Sequence, residues 1–385
     1  MTRTATNRRI IYLAGFLFSI PIALTSYINS SFLETHMSAK EVSMLYVFAS
    51  ILTVLGMLKM PKILTQFGNR ITTLVFSLLS FLSLILLAFS DNTVIITSAF
   101  VLFFVTSNFV FATLDIFVED FSKNSSVGKL RGLYLVTLNV AWVLSQTISG
   151  SILAKSSYTG LYLFGAMFMV LVAIIFTFYL KNFVDPKYKK VPILKTIRIF
   201  IRNKHISKIY LINFILKFFF VWMIIYTPIY LHEHIGFSWQ TIGPIFTIML
   251  LPFVFVTYPL GRLSDKIGEK KMLIIGFIIM ACTTALIPLI QLPSFWIWAG
   301  VLFATRVGAA TVEIMSESYF FKSVSEEHPD TISFFRNTGP MSFIIAPLVA
   351  IPILLFVPSF SYLFFALSAV LLVGLYITLR IKDVR

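Results

Sequence analysis

Two cations of this sequence fall inside long apolar stretches: Lys217 in INFILKFFFVWMIIYTPIY (212 to 230) and Arg306 in LFATRVGAATVEIM (302 to 315). If the second stretch is helical, about 700° of turn separates Arg306 from Glu313 and about 1100° separates it from Glu317, so the three share one face to within about 20°. The rise from Arg306 to Glu313 is about 10 Å, too long for a direct pair. Arg306 is therefore expected to meet an anion, a solute or an acid on another helix. Lys217 has Asn213 one turn before it and Trp222 and Tyr226 beyond it. A lysine among aromatics can hold an anion or make a cation–π contact, with a local ion pair or snorkelling as the alternatives. A second pair of acids, Asp115 and Glu119, repeats the four-residue spacing of Glu313 and Glu317. This chemistry suits the binding of a charged solute. It also suits carriage of a proton, because burial favours the neutral form of a carboxyl group. Glu313 is the expected carrier, being the deeper acid on the stretch that holds Arg306.

The elements that hold these residues follow from composition. Of the 385 residues, 58% are apolar or aromatic and 12% are charged, against roughly 25% charged in an ordinary soluble domain. Twelve membrane helices of about 22 residues would use roughly 264 residues and leave about nine for each loop or tail. No room remains for a water-soluble catalytic domain. The single cysteine, Cys282, excludes an internal disulfide. Spans are expected near 10–30, 41–58, 71–89, 94–117, 133–154 and 159–180, and again near 209–231, 241–260, 272–290, 295–316, 333–356 and 359–379. The fold class is an all-α membrane protein of twelve helices in two pseudo-symmetric six-helix bundles. The bundles are expected at 1–185 and 206–385, joined by a basic linker at 186–205. Within it, residues 193–204 could lie along the membrane as an interfacial helix or form a solvated linker.

The net charge of +15 suggests nucleic acid until the cations are placed. Of the 31 Lys and Arg, all but Lys40, Lys155, Lys217 and Arg306 fall on one side of the expected spans. That asymmetry puts both termini in the cytoplasm and makes the charge an orientation signal, with contact to anionic lipid at the inner face. No nucleic-acid partner is expected. Span 1 follows a basic N-terminus, as a secretory signal would, but runs on into TSYINSSFLE without a clear cleavage site and is read as retained. Glu34, His36, His232, Glu233 and His234 at the outer ends could suit zinc or iron(II). Short exposed loops carry such residues by chance, so neither a metal nor another cofactor is expected.

The two halves repeat. At an offset of about 200, PKILTQFGNR (61–70) lies over GRLSDKIGEK (261–270), matching Lys62 with Arg262, Gly68 with Gly268 and Arg70 with Lys270. Ser38 falls on Ser238, each placed to cap the following helix, with Glu41 completing a capping box after Ser38. At about 198, ATLDIFVED (112–120) lies over ATVEIMSES (310–318), pairing Asp115 with Glu313 and Glu119 with Glu317.

The segment YPLGRLSDKIGEKKML, 258–273, resembles the loop signature of the major facilitator superfamily, and LFATR followed by VGAA, 302–310, resembles more loosely its arginine motif. The resemblance implies a secondary transporter whose halves rock around a midplane site. It implies a cytoplasmic gate in which Gly261, Arg262, Asp265, Lys266, Gly268, Lys270 and Lys271 stand beside Glu119 and Glu317. It also implies a polar cavity to which Tyr27 and Asn108 contribute beside Lys217, Asn213, Trp222, Tyr226, Arg306, Glu313 and Asp115. The first-half loop departs from the signature, with Pro61 and Thr65 in place of Gly and Asp, and Asn108 stands where the repeat would place an arginine. Span 5, LNVAWVLSQTISG, lacks the Gly-Pro pattern of many drug exporters of that family, so direction stays open.

The expected function is secondary transport of a small organic solute by alternating access in the plasma membrane. Two buried cations favour an anionic or zwitterionic solute, and Glu313 offers proton coupling. The alternatives are a uniporter or exporter of sugars or amphipathic compounds, a non-transporting sensor, and an enzyme acting on a lipid substrate. A monomer is expected to suffice.

Overall fold

The structure is a computed structural model that describes residues 3–120, 127–181, 183–186, 204–256, 259–260, 263, 267–323, 335 and 338–382. The chain divides into two compact units, Met1–Lys190 and Val191–Arg385. The basic stretch at 187–203, with nearly all of the candidate interfacial helix, lies outside the described residues.

In the first unit α1 runs Arg3–Ser26, α2 Asn29–Glu34, α3 Ala39–Phe67, α4 Asn69–Phe89, α5 Thr93–Asp120 and α6 Val127–Phe178. At 1.5 Å per residue, the 52 residues of α6 would make a rod of about 78 Å, more than twice a hydrocarbon core of about 30 Å. It is two spans. The helix breaks at Ser157, whose φ of 59° and ψ of −172° are not helical, within the polar run Lys155–Ser156–Ser157. In the second unit α7 runs Lys204–Ile229 and ends in a π turn, Tyr230–His234. Then come α8 Trp239–Leu250, α9 Pro252–Phe255, α10 Glu269–Leu286, α11 Phe295–Ser323, α12 Thr338–Phe356 and α13 Tyr362–Leu379. Among the described residues ten helices are long and apolar enough to cross a bilayer. Counting α6 twice, and adding the apolar helix Trp239–Phe255 formed by α8 and α9, gives twelve spans. The protein is an integral multi-pass membrane protein.

The same neighbours recur in each unit. The first has α1 on α6, α4 on α5 and α6, and α3 on α5; the second has α7 on α12, α10 on α11 and α13, and α8 on α11. The backbone repeats with them. Gly68 and Gly268, matched in sequence, carry φ of +76° and +88°, a conformation open to glycine, and each starts the helix that follows. Pro61–Phe67, read in sequence as part of a loop, is helical, so Gly68 alone makes the turn between α3 and α4. Asp185 closes that turn: its Oδ1 accepts the Asn69 amide at 2.7 Å, and a Cβ on Gly68 would come within 2.7 Å of Oδ2. Arg70 donates to the Thr177 and Tyr179 carbonyls, tying the start of α4 to the end of α6. Ser38 forms the expected capping box with Glu41. Ser238 does not cap: its hydroxyl meets Thr241 Oγ1 at 3.1 Å, because position 241 is a threonine where the first repeat has Glu41.

Many polar side chains in the spans bond within or between helices, as hydrocarbon favours. Ser77 and Thr53 donate to carbonyls one turn back, and Ser80 meets Thr106 across α4 and α5 at 2.7 Å. Helix α11 is placed by close approach of two backbones. A Cβ on Gly308 would lie 2.7 Å from the Gly276 carbonyl of α10, and one on Gly276 would lie 3.0 Å from the Gly308 carbonyl. Without a hydrophobic drive between helices in lipid, such small-residue seams are what holds a pair together. Gly308→Ala should therefore push α10 and α11 apart at a cost of about 1 to 3 kcal/mol. A drop in the melting temperature of the purified protein, against an unchanged Gly300→Ala control at a position with open space, checks this.

Candidate functional site

Helix α7 buries most of its surface in the second unit and leaves one stripe half-open: Phe214, Lys217, Phe220 and Ile224, spaced at three to four residues. Lysine 217 is thus set between two aromatic rings on an apolar helix. Its Nζ lies 2.6 Å from Glu313 Oε1 on α11, with both side chains 28% exposed. Glu317, one turn farther along α11, adds a second negative charge near the lysine. Arg306 lies two turns the other way and is 1% exposed. Its guanidinium carbon sits 5.0 Å from the Phe219 ring and 5.7 Å from the Phe220 ring, while Lys217 Nζ is 5.2 Å from that same Phe220 ring. The α11 face read from sequence therefore runs from buried Arg306 through half-open Glu313 to exposed Glu317.

A charged side chain at the bilayer centre costs about 2.5 to 3.5 kcal/mol on insertion scales. The contact between Lys217 and Glu313 offsets that for two groups at once and ties α7 to α11. Glu317 is the further negative charge near the lysine.

A family model described as Major Facilitator Superfamily matches residues 11–251 and 225–384, nearly the whole chain. The chain belongs to the major facilitator superfamily. As a member it is a secondary transporter working by alternating access, not an enzyme. Solved structures share the fold. The nucleoside transporter NupG superposes with a TM-score of 0.78 at 10% identity, covering 97% of this chain and 98% of that one. A variant of NupG gives 0.77 at 12%, covering 97% and 99%. A structure described as giving insights into substrate recognition in proton dependent oligopeptide transporters gives 0.75 at 11%, covering 97% and 98%. No curated protein matches the chain in sequence.

The other candidate residues of this superfamily member lie as follows. Asn213 is buried and accepts from Thr338 Oγ1 at 3.3 Å, linking α7 to α12. Trp222 and Tyr226 are buried in an aromatic column: Trp222 packs on Phe218 at 5.2 Å and on Tyr226 at 5.4 Å, and Tyr226 reaches Phe360 at 6.2 Å. Tyr27 is buried at the turn between α1 and α2. Asn108 is half-buried and donates to the Phe104 carbonyl of its own helix, and Asp115 is half-buried on α5. In the gate, Gly268 makes the turn, Lys270 is half-buried and Lys271 exposed. Gly261, Arg262, Asp265, Lys266 and the Glu119 side chain lie outside what the structure describes. Among the described residues no three His, Cys, Asp or Glu side chains gather as a metal site. Just past the C-terminal end of α7, His232 bonds the Phe237 carbonyl at 2.8 Å and His234 stacks on Phe360 at 4.7 Å. A groove of about 610 Å³ between α3 and α5, lined by Leu45, Phe48, Leu52 and Val101 among others, carries no charged group.

Two features escaped sequence reading. Glu269, at the start of α10, is buried and accepts from Ser318 on α11 at 3.1 Å. Phe220 contacts both cations, and its only signal in the sequence was its place one turn beyond Lys217. The pair itself sets the expected cost of substitution. Lys217→Met or Glu313→Gln, each removing one partner, should destabilise by about 1 to 3 kcal/mol, whereas the double variant recovers part of the loss. Thermal melts of the three variants in one detergent supply the comparison.

Proposed function

We propose that the chain moves a small anionic or zwitterionic organic solute across the plasma membrane, with the transport driven by protons that bind at Glu313. The observation that carries this reading is the Lys217 Nζ to Glu313 Oε1 contact of 2.6 Å across two helices of one unit. A gradient can drive a transporter only through a group whose charge differs between its states. A carboxylate that is paired in one state and protonated in the other is such a group. In the protonated form Lys217 is released to attract the anionic part of a solute, with Arg306 as a second fixed positive charge. The fold shared with proton dependent oligopeptide transporters supports proton use, and the nucleoside transporter shows that the same architecture serves small organic solutes.

In this reading the halves 1–185 and 206–385 are the moving bundles and 186–205 is the linker. Both termini lie in the cytoplasm, where the one-sided Lys and Arg meet anionic lipid. Gly261, Arg262, Asp265, Lys266, Gly268, Lys270 and Lys271, with Glu119 and Glu317, form the cytoplasmic gate, and a monomer suffices. The exposed position of Glu317 favours the gate assignment for that acid over proton carriage.

The test uses proteoliposomes enclosing a pH-sensitive dye, screened with anionic, zwitterionic, sugar and cationic solutes. An anionic or zwitterionic solute should trigger proton movement. Glu313→Gln should abolish that signal and uphill accumulation while sparing exchange of labelled solute. Uphill transport that survives in Glu313→Gln overturns the coupling assignment; exchange with no proton signal in the unaltered protein makes the chain a uniporter or couples it to another ion. The orientation has its own check: a reporter active only in the cytoplasm should be active at both termini and silent when inserted beside Lys40 or Lys155.

A further inference from the structure

Phe220 is placed where the charge state of one helix can be felt by another. Its ring stands 5.2 Å from Lys217 Nζ and 5.7 Å from the Arg306 guanidinium, and it packs edge-on against Phe253 of α9 at 5.8 Å. Phe219, next in the chain, supplies Arg306 with a second ring at 5.0 Å. An aromatic face attracts a cation within about 6 Å, and the attraction strengthens as the cation comes nearer and loses water. With Glu313 charged, the lysine is drawn to Oε1 at 2.6 Å and stands 5.2 Å from the ring, toward the outer part of that range. With Glu313 neutral, the ring already 5.2 Å from the lysine and shared with Arg306 is Phe220, while Phe214 stands one turn back on the same helix and Glu317 one turn along α11.

We propose that Phe220 is a positioning residue, whose ring takes up Lys217 when Glu313 binds a proton and so loosens its hold on Arg306. The inference rests on the proton role proposed for Glu313. The consequence has a sign. The ring stabilises the lysine more in the protonated site than in the ion-paired one, so it makes proton binding at Glu313 easier. Weakening the ring should require more acid to protonate the site. Several charged groups lie on α11 and the elements packed against it. By charge they are Lys204, His205, Lys208 and Lys217 on α7, Arg306, Glu317 and Lys322 on α11 itself, and Glu269, Lys270 and Lys271 at the start of α10, while α8 and α9 bring none. The ring's effect is distinct from theirs because it depends on its electron density and not on a charge.

The experiment needs no solute, since the probe is the proton. Fluorinated phenylalanines bearing one, two and three fluorines are placed at position 220, which withdraws the ring's electron density while keeping its shape. Infrared difference spectra of the reconstituted protein are then titrated with pH, and the carboxylic-acid band missing from Glu313→Gln identifies Glu313. The midpoint of that band should fall step by step along the series, by up to about one pH unit or roughly tenfold in proton affinity. Phe220→Trp should hold the midpoint at or above that of the unaltered protein. A midpoint that stays constant, or rises with fluorination, overturns the role of Phe220 and leaves the coupling reading intact. A spectrum in which Glu313→Gln removes no band overturns the coupling reading, and this inference with it.

Discussion

A lysine amine and a carboxylate joined at 2.6 Å inside an apolar protein impose conditions on everything around them. Neither group can be there alone without a penalty of several kcal/mol, so α7 and α11 must be held where the two side chains meet. That requirement reaches outward. The seam of Gly276 and Gly308 fixes α11 against α10, Asn213 with Thr338 fixes α7 against α12, and the rings of Phe219 and Phe220 fill the space between Lys217 and Arg306. Much of the second unit's packing can be understood as the support of one ion pair between α7 and α11.

The fold was largely legible in the sequence because the bilayer leaves few choices. Backbone groups in hydrocarbon must be bonded internally, so apolar runs of spanning length are helices. The repeat was legible too, through Gly68 and Gly268, since both turns need the same positive φ. What stayed hidden was set by distance along the chain or by shape. Lys217 and Glu313 are 96 residues apart, and helical geometry could show only that Arg306 and Glu313 were too far apart along one helix to touch. The break at Ser157 has no proline and no glycine at the residue itself, and Asp185 reaches Asn69 across 116 residues. Aromatic residues were expected to line the site, yet Trp222 and Tyr226 bury their rings in a column, because their positions on α7 turn them away from the stripe that carries Lys217.

The two units show how one backbone plan can carry different chemistry. The helix neighbours, the glycine turns and the acids at 115/313 and 119/317 repeat, but the two cations within the spans do not. Position 108 is asparagine where the second unit has Arg306, and Leu17 occupies the place that Lys217 has in the repeat. Asp185 gives the first unit's turn a carboxylate from the end of its sixth span, where the second-half loop carries Asp265 in sequence. Repeats diverge most easily where the backbone does not depend on the side chain, which is the case for residues on a half-open stripe.

The seam between α10 and α11 has a mechanical meaning. Backbones in contact at Gly276 and Gly308 cannot slide without a carbonyl meeting a Cα, so those two helices travel as a single plate and carry Arg306 and Glu313 with them. Helix α7 is built otherwise, with Pro228 in its last turn and a π turn after it, both of which weaken its hydrogen-bond ladder. The ion pair therefore joins an anvil to a spring. Where that second unit gives, it gives first at the C-terminal end of α7, while Arg306 and Glu313 stay with the plate.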